Sequence, residues 1–231
     1  GGGAAGYFTA INAKENNPEL DIIILEKGKD VLQKVKISGG GRCNVTHACF
    51  EPKELVKFYP RGEKELLGPF HKFMTGDTFE WFDDRGVPLK IEDDNRVFPE
   101  ANTSQAIIDC FQKVVDKLGI KVFTNCGVKS VCKQENKWII NTKEQIFEAD
   151  KVVIAAGSSK KVWELCETLE HAVVAPVPSL FTFNINDKRL VDLLGTSVPN
   201  ATVSIVGTKL EASGPLLITH WGMSGPAVLK L

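Results

Sequence analysis

The chain has 231 residues, 43% hydrophobic and 25% charged, with 28 basic against 29 acidic side chains and a formal net charge of -1. A chain of this size buries a sizeable core, and its balanced, scattered charge supplies no field for nucleic acid. It holds no apolar run near the ~20 residues of a membrane span and nothing that reads as a signal peptide.

In chain order, the first block is "GGGAAGYFTAINAKENNPELDIIILEK". Gly1, Gly3 and Gly6 make G-x-G-x-x-G, followed by a helix-compatible run through about Ala13 and turn chemistry in "NNPE". "DIIILE" is a short apolar run ending in an acid, as in a parallel strand buried on both faces. Then comes "KISGGGRCNVT", a second glycine loop. Residues 45–100 read as helices rich in Phe and Trp and then a loop, "VPLKIEDDNRVFPEANT". This is a long excursion between two elements of one sheet, of a kind that often covers a ligand.

"NTSQAIIDCFQKVVDKLGI" is the strongest helix signal, with Ile107, Cys110, Phe111, Val114, Val115 and Leu118 at helical spacing. Asn102 or Thr103 can cap its start and Gly119 its end. "KVFTN", "GVKSVCKQ", "KWIINTK" and "QIFEADKVVIAAG" read as four strands, with "QENK" as a hairpin turn. Together these predict a doubly wound α/β domain over residues 1–180. Past "VAPVPSL" the texture turns to strands and turns, so residues 181–231 read as the first part of a second, β-rich domain. The chain opens on Gly1 without Met and stops at Leu231 inside the apolar "GPAVLKL"; both ends read as cut, as in a fragment.

The chemistry begins at the first glycine turn. Gly1 permits the tight turn, Gly3 lets backbone approach a pyrophosphate, and Gly6 lets helix and strand pack closely. The helix N-terminus offers unpaired N–H groups and the positive end of its dipole. Glu26 stands twenty residues past Gly6 at a strand end, where its carboxylate can accept both ribose hydroxyls of a dinucleotide and would repel a 2′-phosphate. In "VVIAAG", Ala155, Ala156 and Gly157 are small enough to let a strand end come against the cofactor. In the second loop, side-chain-free backbone can donate N–H groups along the pyrophosphate while Lys36, Ser38 and Arg42 meet phosphate charge. The plain alternatives, a tight turn, a buried strand and a flexible loop, stay open at each place.

The six cysteines form no CxxC or CxxH pair at metal spacing and read as reduced thiols, most of them small buried hydrophobes. Cys43 in the second glycine loop could be a redox thiol, yet no resolving cysteine sits at CxxC spacing, and a small residue fitting beside a bound dinucleotide is the better reading. His220 and Trp221 in "THWGMSGPA" could serve a substrate or close an interface between domains. Arg96 could reach an anionic substrate or pair with the acids of "EDDN", while His47 and His71 carry no constellation. The sequence names no catalytic acid or base.

"GGGAAG", "LEK", "KISGGGRCNVT", "DDNRVFPEANTSQAI", "VVIAAGSSKKVWEL", "PVPSLFTF" and "GPLLITHWGMSGPAVLKL" occur in that order along nearly the whole chain. Together they resemble the bacterial YhiN/BaiN-type flavoproteins, often labelled aminoacetone-oxidase-family or NAD(P)/FAD-dependent oxidoreductases. The resemblance implies a glutathione-reductase-like FAD domain with an inserted, largely β substrate-side domain, and a later segment that completes the FAD site, so this stretch alone is expected to bind FAD weakly. Carried over by position, Gly1, Gly3, Ala5 and Gly6 would meet the pyrophosphate and Glu26 the adenosine ribose, with Lys27 beside it. Lys36, Ser38, Gly39, Arg42, Cys43 and Asn44 would follow the pyrophosphate toward the flavin. Val128 would hold the adenine through its backbone, and Ala155, Ala156 and Gly157 would pack against the cofactor. Where the family often has Thr-Gly-Gly this chain has Ala156, Gly157 and Ser158, which removes a hydroxyl.

The expected function is therefore that of a cytoplasmic FAD-dependent oxidoreductase, taking electrons from NAD(P)H through flavin N5 to a small organic acceptor or dioxygen. A flavin-dependent RNA-modifying enzyme would want a basic stripe that the charge pattern lacks. A non-catalytic dinucleotide-binding sensor is the remaining alternative.

Overall fold

The computed structural model describes residues 1–59, 61–177 and 180–231, so part of the "PVPSLFTF" stretch, residues 178 and 179, lies outside the described residues. The chain divides into two compact units, Gly1–Val173 and Val174–Leu231.

In the first unit, helix α1 (Ala4–Asn16) leads to strand β1 (Ile23–Leu25), helix α2 (Gln33–Ile37) and the short strand β2 (Thr46–His47). Helices α3 (Pro52–Leu55), α4 (Glu63–Phe70) and α5 (Thr75–Asp83) follow, then strands β3 (Leu89–Ile91) and β4 (Arg96–Pro99). Helix α6 (Ser104–Lys117), strands β5 (Lys121–Phe123), β6 (Ser130–Gln134), β7 (Lys137–Asn141) and β8 (Ile146–Ala149), and helix α7 (Lys160–Thr168) complete it.

The α/β expectation holds at the centre of this unit. β1 and β5 pair in parallel, Ile24 opposite Val122, and α6 is the crossover element between strand ends that a parallel pair needs. Its start is capped as expected, Thr103 Oγ1 accepting from Gln105 N at 3.3 Å, and Gly119 ends it at φ +67°. Ile107, Cys110, Phe111 and Val115 are buried on one face. They meet Tyr7 and Ile11 of α1 and Trp81 and Phe82 of α5 in one core. Trp81 and Phe111 rings lie 5.5 Å apart, and Trp81 Nε1 donates to Asn12 Oδ1 at 3.3 Å. The Phe/Trp-rich excursion is thus partly core rather than cover alone.

Three readings are corrected. The stretch "VPLKIEDDNRVFPEANT" is not a loop: β3 and β4 form a hairpin, Lys90 opposite Phe98, joined on its other edge by β2. The turn is made at Asn95, φ +64°, where Asn tolerates the left-handed region. Strands β6, β7 and β8 do not return to the parallel pair; they form their own antiparallel sheet. Their connections are hairpins, which can join only antiparallel neighbours. Finally, "VVIAAG" is not a strand. Among the described residues 151–157 has no regular structure, since β1 is paired only with β5 and no ladder partner defines it.

The second unit holds strands β9 (Phe183–Asn184), β10 (Ser197–Ser204), β11 (Glu211–Thr219) and β12 (Gly222–Ser224) and helix α8 (Pro226–Leu229). The strands form one antiparallel sheet in the order β10-β11-β12-β9. Two glycines of "THWGMSGPA" are explained by packing. A Cβ at Gly222 would overlap the Phe183 carbonyl oxygen, and one at Gly225 would stand 2.7 Å from Pro215 O. That motif therefore lets neighbouring segments lie flush against one hairpin.

Candidate dinucleotide site

The site grows from the glycine turn at the start of α1. Gly3 is the N-cap residue and carries no side chain to cap with. The first helical bond is Tyr7 N to Gly3 O at 3.1 Å, so the amides of Ala4, Ala5 and Gly6 have no partner within the helix. A Cβ at Gly6 would overlap the Gly1 carbonyl oxygen, and one at Gly1 would overlap Ala155 O and stand 2.9 Å from Ala156 Cα. A Cβ at Gly3 would meet nothing within 4 Å. The turn is therefore closed on the protein side at Gly1 and Gly6 and open at Gly3.

Glu26 follows the end of β1, with its backbone N donating to Phe123 O at 2.8 Å and its O accepting from Cys126 N at 2.8 Å. Its carboxylate closes the turn: Oε2 accepts from Gly2 N at 2.7 Å and Oε1 from Gly28 N at 2.6 Å. Each oxygen keeps a further acceptor direction. Gly2 O in turn accepts from Leu32 N at 2.8 Å. Lys27 is exposed beside Gly127, whose Cβ would stand 3.1 Å from Lys27 Cγ. Val128 is next along that segment and 40% exposed.

The structure thus brings together Gly1, Gly3, Ala5, Gly6, Glu26, Ala155 and Ala156, with Gly157 at φ +63° just beyond and Lys27 and Val128 at the Glu26 edge. The unpartnered amides, the open face at Gly3 and the spare acceptor directions of Glu26 suit a dinucleotide: amides for the diphosphate, carboxylate for a ribose diol.

The second glycine loop is of different construction. Gly39, Gly40 and Gly41 take φ of +56°, +68° and +86° in succession, a left-handed run that costs other residues roughly 1–2 kcal/mol at each step. This is why three glycines stand in a row. Gly39 is packed, its Cβ direction ending 2.7 Å from Asn44 N and 2.8 Å from Phe98 Cε1, whereas Gly40 has nothing within 4 Å. Ser38 Oγ donates to Val35 O at 3.0 Å, and Lys36 is exposed. With its amide turned to suit its neighbours, Asn44 donates to Thr46 O at 2.9 Å and Val97 O at 3.2 Å.

Arg42 is already paired. Its Nη1 lies 2.6 Å from Glu92 Oε1 and its Nη2 3.2 Å from Glu92 Oε2; that hydrogen bonding holds the Glu92 carboxyl below its ordinary range. Arg96 likewise takes the plain reading, its Nε 2.6 Å from Asp94 Oδ2. Neither Glu92 nor the Glu26 bonds to the amides of Gly2 and Gly28 were foreseen. The acidic turn "EDDN" opposite a cation-bearing loop was the only available signal for Glu92.

Cys43, at φ +63° and 6% exposed, belongs to the core. Burial pushes its thiol up, partly offset by a hydrogen bond with Ser38. All six cysteines are free, but only Cys43 and Cys110 are fully buried, and Cys132 is exposed. A thiol reagent on the native protein should therefore label Cys132 first and Cys43 at least about tenfold more slowly; equal rates, read by mass spectrometry of the labelled peptides, would show Cys43 to be accessible and activated. Among the described residues no cluster of three or more His, Cys, Asp or Glu could hold a metal, and no helix is long and apolar enough to cross a membrane.

Residues 1–223 match the HI0933-like protein Rossmann domain. The chain belongs to this family. This membership gives the chain a Rossmann-like dinucleotide-binding domain. Over its whole length this HI0933-like chain is 23% identical to the 3-dehydro-bile acid delta(4,6)-reductase of Clostridium scindens, of which it covers 58%. It is 25% identical to the ribosomal RNA dihydrouridine synthase of Haemophilus influenzae, covering 59%. The chain thus spans a little over half the length of these relatives. Among solved structures, the bacillithiol disulfide reductase Bdr of Staphylococcus aureus matches with a TM-score of 0.34 at 21% identity, over 65% of this chain and 34% of that one.

Proposed function

We propose that the protein is an FAD-dependent reductase that takes electrons from NAD(P)H and delivers them to a carbon–carbon double bond polarised by a neighbouring carbonyl. The observation that carries the dinucleotide part is the glycine turn closed by Glu26 and open at Gly3. The acceptor class is suggested by the names of the two relatives, since a 3-dehydro delta(4,6) substrate and uridine both carry a double bond conjugated to a carbonyl.

In this reading the amides of Ala4, Ala5 and Gly6 bind the diphosphate, and Glu26 orients the adenosine ribose while holding the turn to Gly28. Lys27 and Val128 flank the adenosine end, and 155–157 pack against the bound group. The second loop, Lys36 to Asn44, lies on the path toward the flavin. FAD, when bound, supplies the two-electron chemistry. The unit from Val174 onward serves the substrate side, the protein works in the cytoplasm, and its balanced charge, 28 basic against 29 acidic side chains, favours a small-molecule acceptor over an RNA.

The test is an anaerobic absorbance spectrum of the full-length protein before and after NADH and then NADPH. A band near ~450 nm that bleaches within the mixing time supports a bound, reducible flavin, and the faster nucleotide names the donor. Reoxidation by a conjugated enone but not by its saturated analogue supports the acceptor class. A colourless protein, or a flavin that neither nucleotide reduces, would overturn the reading.

A further inference from the structure

Arg42 sits in the glycine loop where a cation could meet phosphate, yet its surroundings are those of a latch. Besides both oxygens of Glu92, its Nη1 reaches Asn102 Oδ1 at 3.2 Å. Its guanidinium carbon lies 3.9 Å from the centroid of the Phe98 ring. Phe98 is 0% exposed and central in the hairpin strand β4, and the same ring takes Gly39 of the loop against its edge. Loop and hairpin are fifty residues apart in sequence at the Arg42–Glu92 contact, so this contact fixes where the loop stands. The far side of the hairpin is tied in turn, with Arg96 3.8 Å from Glu92 Oε2 and 5.3 Å from the Phe98 ring.

We infer that Arg42 is a positioning residue and not a phosphate ligand. It latches the left-handed Gly39–Gly41 run onto the β3–β4 hairpin through Glu92, Asn102 and Phe98. The physical reasons are two. A bidentate arginine–carboxylate pair satisfies the fork of the guanidinium geometrically as well as electrically, leaving little positive charge for a second anion. A run of three glycines has no side chains of its own to hold it, so its order must come from flanking residues. Arg42 and the packed Gly39 supply that order on one ring face and one ring edge. The cofactor consequence rests on the dinucleotide reading above; the latch itself does not.

The experiment uses the full-length protein and three charge variants: Arg42→Glu, Glu92→Arg and the double exchange. Glu92→Gln serves as a milder variant that keeps the side-chain shape. Two quantities are read, amide hydrogen exchange over residues 38–44 without added cofactor and the dissociation constant for FAD. Each single reversal should speed exchange in the loop and weaken FAD about fivefold, Glu92→Gln should do so less, and the double exchange should restore both. Weaker FAD binding in Arg42→Glu alone, with the loop unaltered and no rescue by the double exchange, would make Arg42 a phosphate ligand and overturn the inference. Unchanged loop exchange in Glu92→Gln and Glu92→Arg would overturn it as well. If no variant nor the parent binds FAD, the functional reading fails while the exchange data still decide the latch.

Discussion

Gly3→Ala should leave the fold intact and weaken FAD binding about 10- to 100-fold, a loss of roughly 1.4–2.8 kcal/mol of binding free energy. Gly3 has φ -92° and ψ -175°, a backbone state open to alanine, and its Cβ would meet nothing within 4 Å. Nothing in the protein resists the methyl group, so the melting temperature should move by no more than about 2 °C. What the methyl group does obstruct is the approach to the unpartnered amides of Ala4, Ala5 and Gly6. Gly6→Ala is the contrasting variant. Its methyl group would overlap the Gly1 carbonyl, forcing turn and helix apart at a cost of about 2–3 kcal/mol, so it should lower melting and FAD affinity together. Thermal melting and FAD titration of both variants separate the two roles. Wild-type affinity in Gly3→Ala would mean that the turn is not where the diphosphate rests.

The contrast between these neighbouring glycines shows how much was legible in the sequence. The G-x-G-x-x-G spacing and an acid twenty residues on identify the turn and Glu26, because both obey local rules: a tight turn, a free helix end, a carboxylate past a parallel strand. The α6 helix was equally readable, since its apolar period and Thr103 cap lie within one segment. What spacing could not supply is pairing at long range. The hairpin β3–β4 was misread as a loop, and its partner β2 and the Arg42–Glu92 bond join segments that no local pattern connects. "VVIAAG" failed in the opposite sense. Its apolar run has strand character, but a strand is made by its ladder, and among the described residues that ladder is absent. Gly222 and Gly225 were read as part of a family signature, and only the packing shows that each stands where another segment's carbonyl leaves no room for a side chain.

Glu26→Ala should be the most damaging single change at the site, because it removes a structural acceptor and a ligand-facing one at once. The carboxylate accepts from the amides of Gly2 and Gly28, and both would lose a charge-assisted partner in a half-buried place. Leaving two such donors unmet costs about 2–4 kcal/mol, or roughly 5–12 °C in melting for a chain of this length. Glu26→Gln distinguishes the two losses. Its single carbonyl oxygen can still serve one amide, while its NH2 group faces the other donor, so about half of the destabilisation should remain. Toward a ribose diol the amide replaces an acceptor by a donor and lacks the charge, so FAD affinity should fall at least about tenfold. Melting and FAD titration of the two variants give the decision. If Glu26→Gln melts below the parent protein yet binds FAD as tightly, the carboxylate serves only to hold Gly2 against Gly28, and the adenosine ribose is held elsewhere.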